Sequence, residues 1–248
     1  MTEITAIIQA RTGSTRLPGK VMYPLDGRPA LKHVVTRTAH ADSVDNVVVA
    51  TSTEPPDDVI EQYAPTFGAD VIRGSESNVL SRFERAVEKY NPEIILRVTG
   101  DCPLIAPEFI DASVEQIQTG DAEYVCAGLD RTFPRGVTCE AFTADSFVRV
   151  IEGSNEPRHR EHVTPYYREN PEEFELYNLE SSEVFDKAFL QNRTDLRLTL
   201  DEPADYQLLE TVHRNVEYDE LLTIPDAIQY IDENDLAKIN EYVEQKSV

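Results

Sequence analysis

Positive charge is scarce in this sequence of 248 residues, which has 23 lysines and arginines against 46 aspartates and glutamates. Its formal net charge is −23 at pH 7. A protein that binds nucleic acid through its surface needs the opposite sign, because it must neutralise phosphate groups. The composition therefore argues against nucleic-acid binding and predicts a surface that repels acidic macromolecules.

Cysteine and long apolar runs are also sparse. The three cysteines, Cys102, Cys126 and Cys139, lack the CxxC spacing of common zinc sites and give no disulfide framework. No apolar run is long enough to cross a bilayer, and residues 1–10 lack the basic start and long apolar core of a signal peptide. We therefore expect a cytoplasmic protein without a membrane span, in which Cys102 and Cys139 are small buried residues rather than nucleophiles.

The excess of carboxylates predicts adaptation to high salt. Dissolved ions screen the repulsion between like charges, so such a surface is stabilised when the salt concentration is high. We expect the midpoint of thermal unfolding, measured by calorimetry, to rise steeply as KCl reaches molar concentration. A flat response would instead indicate an acidic protein of ordinary salt tolerance.

Strands and helices alternate along most of the chain, which predicts a three-layer α/β fold with a mostly parallel sheet in a single domain, residues 1–248. Strands are expected at residues 4–8, 46–51, 70–73, 93–99, 122–126, 137–142 and 196–200. Helices are expected at residues 29–39, 56–67, 78–90, 107–118, 158–168, 204–214 and from 225 to the C-terminus.

A cationic loop follows the first predicted strand. It carries Arg11, Arg16 and Lys20 together with two glycines and several hydroxyls. The cations can neutralise a polyphosphate, the glycines let the backbone approach a ligand, and the hydroxyl and N–H groups can donate to phosphate oxygens. The loop matches neither GxxxxGK[ST] nor GxGxxG. We interpret it as a nucleotide-binding loop of another type, the alternative being a solvated turn.

Two aspartates follow predicted strands. Asp101 comes after strand 93–99 and Gly100, and Asp201 comes after strand 196–200. Ligands of such folds lie at the carboxyl ends of the strands, and Mg²⁺ that keeps most of its waters needs only one or two carboxylates plus phosphate oxygens. Both aspartates are therefore candidate magnesium ligands if their strands are neighbours. Each could instead cap a helix, since a proline follows, and Glu202 and Asp205 suit a first helical turn.

Several stretches resemble a known family. IIQARTGSTRLPGK, LDGRPALKHVVTR, LRVTGDCPLI and LTLDEPADYQLL resemble the cytidylyltransferases that activate acidic sugars, including the acylneuraminate and 3-deoxy-manno-octulosonate enzymes. With EHVTPY the chain is most similar to the branch of spore-coat polysaccharide biosynthesis proteins. The resemblance covers nearly the whole chain. It implies a nucleotide-diphosphosugar-transferase-like fold of glycosyltransferase-A type, a homodimer, and Mg²⁺-dependent transfer of CMP from CTP to a sugar with release of pyrophosphate.

The resemblance also assigns roles to residues. It implies that Arg11 and Lys20 bind the triphosphate and act in catalysis with Asp101, while Asp101 and Asp201 hold Mg²⁺. His162 is a candidate for contacting the sugar or acting as general base, or it is structural. Glu140 either contacts the sugar hydroxyls or caps a strand. The implied nucleotide-binding residues are Ala10, Arg11, Ser14, Arg16, Lys20, Arg73, Gly74 and Ser75.

The sequence departs from the family pattern at three positions. Gln9 stands where the sugar-acid enzymes usually have proline, and Asn78 and Thr138 stand where this branch usually has aspartate. The last two changes concern the sugar rather than the reaction, and they fit an acceptor other than sialic acid.

The sequence leaves three alternatives to this function open. A glycosyltransferase would typically show a DxD pair, whereas the strand end here reads GDCPL. A nucleotidyltransferase could use a nucleoside triphosphate other than CTP. A non-catalytic subunit would be expected to lack one of the four charged residues assigned to catalysis and metal binding, and all are present.

Overall fold

The computed structural model describes residues 2–244. Its strands are β1 Ile4–Gln9, β2 Pro24–Leu25, β3 Arg28–Pro29, β4 Asn46–Ser52, β5 Asp70–Gly74, β6 Ile94–Thr99, β7 Tyr124–Cys126, β8 Glu140–Thr143 and β9 Leu176–Asn178. Its α-helices are α1 Ala30–Ala39, α2 Asp58–Tyr63, α3 Val79–Tyr90, α4 Pro107–Gln118, α5 Ala144–Gly153, α6 Pro157–His162, α7 Pro165–Glu169, α8 Ser181–Val184, α9 Pro203–Asn215 and α10 Ile224–Glu233.

One sheet of seven strands runs through the part of the chain that the structure describes, in the order β5-β4-β1-β6-β8-β7-β9. Strands β5, β4, β1 and β6 are parallel, β8 is antiparallel to β6 and β7, and β7 is parallel to β9. Strands β2 and β3 form a separate hairpin. The predicted mostly parallel sheet is therefore confirmed, with β8 as the reversed strand.

Apolar side chains pack on both faces of this sheet, as expected for a three-layer fold. Residues of β1 alternate between the faces, with Ile4 and Ile8 in one buried cluster and Ile7 in the other. The first cluster contains residues of α1, α4, α9 and α10, and the second contains residues of α3 and α5. Strand β1 is buried on both faces because its residues are apolar apart from Thr5 and the terminal Gln9.

Two predicted helices are broken. Prolines divide residues 56–67 into α2 and the flanking 3₁₀ turns Pro55–Asp57 and Ala64–Phe67. Residues 158–168 divide into α6 and α7 at Val163, whose φ of 70° ends the first helix before Pro165 begins the second. Helix α10 ends at Glu233, and residues 245–248 of the helix expected there lie outside the described residues.

The predicted strand at 196–200 is wrong. The segment forms a single bridge, between Arg197 and Arg135, and joins none of the named strands. Its backbone bonds go to two loops, because the N–H of Leu198 donates to the carbonyl of Arg135 at 2.7 Å and that of Leu200 to the carbonyl of Asp101 at 2.8 Å. The segment alternates apolar and polar residues as a strand does, but it packs between loops.

The parallel arrangement of β5, β4, β1 and β6 brings the carboxyl ends of these strands to one edge. The three chemically rich stretches of the sequence, residues 11–20, 73–82 and 100–104, lie at this edge, at the ends of β1, β5 and β6. Among the described residues, no helix has the length and apolar character needed to cross a membrane.

Candidate active site

The cationic loop after β1 closes on itself. The carbonyl of Thr12 accepts hydrogen bonds from the N–H groups of Ser14 and Gly19, both at 2.8 Å, and the hydroxyl of Ser14 accepts from the N–H of Leu17 at 3.3 Å. Gly19 has a φ of 74°, a conformation that favours glycine. The loop is therefore a compact turn that delivers Lys20 to the sheet edge.

A buried carboxylate, that of Asp57, anchors this loop. It accepts hydrogen bonds from the N–H and the hydroxyl of Thr12, both at 2.7 Å, and from the hydroxyl of Ser52 at the end of β4. Burial raises the pKa of Asp57, but these hydrogen bonds from Ser52 and Thr12 outweigh burial and lower it overall. An ionised Asp57 thus ties the loop to β4. Sequence reasoning missed it, because it looked like an ordinary acid at a helix start.

Lys20 lies between the two predicted metal ligands. Its ammonium is 2.5 Å from Asp101 Oδ2 and 2.7 Å from Asp201 Oδ1, with only 11% of the side chain exposed. Burial lowers the pKa of Lys20, but the charges of Asp101 and Asp201 outweigh burial and raise it overall. Likewise burial raises the pKa of Asp101, but the charge of Lys20 lowers it overall. The three groups therefore form one charged cluster at the strand ends.

The backbone explains how the aspartates meet although their segments are not paired strands. A Cβ on Gly100 would lie 2.9 Å from Ala10 Cβ, so glycine is needed for β6 to end so close to β1. The bond from Leu200 to Asp101 then brings the second segment alongside. The alternative that Asp101 and Asp201 are helix caps is wrong, since the N-cap residue of α9 is Glu202 and that of α4 is Ala106.

Arginines hold Asp201 on its other side. Arg197 Nη2 donates to Asp201 Oδ2 at 3.0 Å, and Arg16 Nη2 lies 3.4 Å from Asp201 Oδ1. Arg197 also forms two hydrogen bonds, at 2.9 and 3.1 Å, with the buried carboxylate of Asp205. Asp205 completes the capping box of α9, as expected for a first-turn acid, and so fixes the position of Asp201.

Two carboxylates facing one cation suit a hard metal ion as well. Within residues 2–244, no group of three or more histidine, cysteine, aspartate or glutamate side chains could hold a metal. Asp101 and Asp201 nonetheless fit Mg²⁺, which takes one or two carboxylates and completes its shell with water and substrate phosphates. In the structure the ammonium of Lys20 stands between these two carboxylates.

The other residues that were predicted to bind the nucleotide have different partners in the structure. Arg11 is partly exposed, 3.2 Å from Glu76 Oε1. The guanidinium of Arg73 is instead engaged with α2, at 2.8 Å from Asp58 and 2.5 Å from Glu61. Gly74 ends β5, and the hydroxyl of Ser75 accepts from the N–H of Asn78 at 3.1 Å. Ala10 is buried at the end of β1.

A cavity of about 660 Å³ adjoins Asp101 and Asp201. Glu140 lines it and accepts hydrogen bonds from Arg97, from the hydroxyl of Tyr124 and from that of Thr164. Burial raises the pKa of Glu140, but chiefly the charge of Arg97 lowers it overall, so the carboxylate is ionised. His162 lines the same cavity, and burial lowers its pKa, which keeps the ring neutral at pH 7.

The three cysteines also line this cavity and are buried and free. Burial raises the pKa values of all three thiols, to about 12 for Cys102. The thiols stay protonated at neutral pH, and the burial predicted for Cys102 and Cys139 is confirmed.

Several known proteins are similar to this chain in sequence and in fold. Residues 5–239 match the profile of a family described as cytidylyltransferase. The chain is 34% identical over 244 residues to a spore coat polysaccharide biosynthesis protein of Bacillus subtilis, covering 92% of this chain and 97% of that one. A 3-deoxy-manno-octulosonate cytidylyltransferase of Geobacter sulfurreducens is 40% identical over 150 residues, covering 60% of this chain and 57% of that one.

A solved structure agrees over the whole length. A cytidylyltransferase from Leptospira borgpetersenii superimposes with a TM-score of 0.86 at 32% identity, covering 100% of both chains. The predicted fold class is confirmed, and the chain belongs to the cytidylyltransferase family.

Proposed function

We propose that this protein transfers CMP from CTP to a hydroxyl group of an acidic or related sugar, with release of pyrophosphate, in the synthesis of a surface glycan or glycoprotein. The observation that carries the proposal is the cluster of Lys20, Asp101 and Asp201, which lies between a cationic loop and a sugar-sized cavity. Family membership and the names of the relatives support the same reaction.

The reaction is a single displacement. The sugar hydroxyl oxygen forms a bond to the α-phosphorus as the bond from that phosphorus to the bridging oxygen breaks. Pyrophosphate leaves with the electron pair, and the hydroxyl proton passes to a base. Such transfers depend mainly on positioning and on charge stabilisation.

The chain's own residues fit these tasks. Arg11, Arg16 and Lys20 neutralise the triphosphate and stabilise charge on the departing pyrophosphate. Asp101 and Asp201 would hold Mg²⁺, which supplies further charge neutralisation at the phosphates when bound. Ala10, Gly74 and Ser75, at the adjoining strand ends, would line the nucleoside, and Arg73 would brace that segment against α2.

On the acceptor side, His162 and Glu140 have separate roles. His162 lines the cavity with a neutral ring, so it can accept the hydroxyl proton of the sugar. Glu140 is an ionised acceptor of hydrogen bonds and suits sugar hydroxyls. Its bonds to Arg97 and Thr164 hold it in place.

A substrate panel tests the proposal. Purified protein is incubated with Mg²⁺, each of CTP, UTP, ATP and GTP, and a set of acidic and neutral sugars, and pyrophosphate is measured with a coupled assay. We expect release with CTP and an acidic sugar, together with a CMP-sugar identified by mass. Pyrophosphate release with another triphosphate in place of CTP would show that the nucleotide donor is not CTP. Transfer of sugar from a nucleotide sugar would replace the proposal with a glycosyltransferase activity.

A further inference from the structure

Three arginines on the cavity wall have no carboxylate within ion-pair distance among residues 2–244. They are Arg131 and Arg135, which are half-buried, and Arg168, which is exposed at the rim. Unpaired arginines are unexpected in a chain with twice as many acidic as basic residues, 46 against 23. Their charge is concentrated where a substrate would lie.

The carboxylates that line the same cavity are already paired with cations. The pairs are Glu140 with Arg97, Glu169 with Arg158, and Asp101 and Asp201 with Lys20. None of these carboxylates lies within ion-pair distance of Arg131 or Arg135 in the described part of the chain. The cavity therefore has a surplus of positive charge on the side formed by residues 131–135.

Arg135 is held rigidly in that position. Its N–H donates to the carbonyl of Leu196 at 3.1 Å, and its own carbonyl accepts from the N–H of Leu198 at 2.7 Å. Gly136 has a φ of 93°, and a Cβ there would lie 2.5 Å from the backbone of Leu198. The close contact fixes Arg135 beside the segment that leads into Asp201.

The hydrogen bonds of the Arg131 guanidinium go to neutral groups, and the nearby carboxylate of Asp195 interacts with its charge without an ion pair. Its guanidinium donates to the carbonyls of Thr194 at 3.0 Å and Phe133 at 3.4 Å. Phe133 is buried edge-to-face against Phe109, with ring centres 5.0 Å apart, and so anchors the loop. Carbonyl oxygens position a guanidinium without cancelling its charge.

The two arginines also act on each other. Burial lowers the pKa of Arg135, and the charges of Arg131 and Arg197 lower it further. Like charges placed together in a partly desolvated wall are stabilised by a bound anion. A guanidinium can meet a carboxylate or phosphate with two parallel hydrogen bonds, which also orients that group.

We propose that Arg131 and Arg135 bind an anionic group of the acceptor, a carboxylate or a phosphate, with Arg168 at the entrance. The inference rests on the proposed function, since it names the part of the acceptor that this wall recognises. It makes the charge on the acceptor a requirement, and it holds the acceptor in the cavity that Asp101 and Asp201 also line.

Calorimetric titration of the full chain with three probes tests the site. The probes are glucuronate, glucose 6-phosphate and neutral glucose, which share the pyranose ring and the hydroxyls at C1 to C4. We expect at least one anionic probe to bind at least about tenfold more tightly than glucose, a difference of about 1.4 kcal/mol. The stronger of the two anions tells whether the site prefers a carboxylate or a phosphate.

Variants assign the effect to the arginines. R131Q and R135Q are each expected to weaken binding of the preferred anion about tenfold, with R135K intermediate and with the affinity for CTP unchanged. The side chain of Arg135 donates to no protein group in the described residues, so R135Q is expected to keep the thermal midpoint of the parent. R214Q, on the exposed end of α9, is the matched control and should change nothing.

Equal affinities for glucose and both anions would contradict the proposed anion site. Anion binding that is unchanged in both R131Q and R135Q would contradict it as well. Its failure is distinguishable from failure of the proposed function. Arginine-dependent anion binding without pyrophosphate release from any triphosphate would retain the site and remove the reaction. CMP transfer with no dependence on either arginine would retain the reaction and remove the site.

Discussion

Replacement of Asp101 by asparagine is expected to lower pyrophosphate release from CTP and the acceptor by at least about 10²-fold. The carboxylate lies 2.5 Å from the Lys20 ammonium at the end of β6, and it is one of two that would hold Mg²⁺. Asparagine keeps the size of the side chain and one acceptor oxygen but removes its charge. The loss should therefore fall on turnover, measured at saturating CTP and acceptor, rather than on folding.

A matched control is Asp121→Asn, which removes an exposed carboxylate remote from the strand ends that form the site. It should keep the parent rate. Thermal midpoints of both variants separate a catalytic effect from unfolding. Turnover of Asp101→Asn equal to that of the parent would remove Asp101 from the site and leave the Lys20 cluster as a structural ion pair.

Replacement of Lys20 by methionine is expected to have two separable effects. Turnover should fall by about 10²-fold or more, because the triphosphate loses a cation. In the absence of nucleotide, the protein should bind Mn²⁺ more tightly than the parent does. The reason is that the ammonium at 2.5 and 2.7 Å from Asp101 and Asp201 no longer competes for these carboxylates.

Stability provides an independent measurement of the same variant. Loss of one partner leaves two partly buried carboxylates repelling each other, which is expected to lower the free energy of unfolding in EDTA by about 3 kcal/mol. Excess Mg²⁺ should restore part of it. Lys89→Met, which removes an exposed ammonium near Asp70, should change neither property. If Lys20→Met bound Mn²⁺ no better than the parent and melted identically in EDTA, Lys20 would not be the ion that the two carboxylates hold.

Local pattern accounted for most of the elements at the sheet edge. The apolar run before Arg11, the periodicity of α3 and α4, and the positions of Gly100 and Asp101 were all readable, because each depends on neighbours in the chain. The failures have a common cause. Residues 196–200 alternate as a strand does, but their hydrogen bonds go to the loops around Arg135 and Asp101, and alternation does not specify a bonding partner.

Residues that act through distant partners were missed. Asp57 resembled a helix-start acid and proved to be the anchor of Thr12, 45 positions away in the chain. Arg131 and Arg135 belong to no motif that the sequence analysis identified, and they line the cavity. Nothing in the local spacing of such residues reports what faces them, because the contact depends on how the loops fold together.

The sequence alone therefore determined the α/β class, and it identified the cationic loop from Arg11 to Lys20, Asp101 and Asp201 as candidates for the charged groups of the site. The class follows from residue type and periodicity, and the loop and Asp101 follow from the rule that parallel strands end at one edge. Asp201 was reached through a predicted strand at residues 196–200 that does not form. Only the tertiary structure decided that Lys20 stands between Asp101 and Asp201, and that Arg131 and Arg135 face the cavity without carboxylate partners in the described residues. Those facts depend on backbone bonds between segments far apart in the chain, where charge and burial are set by neighbours in space.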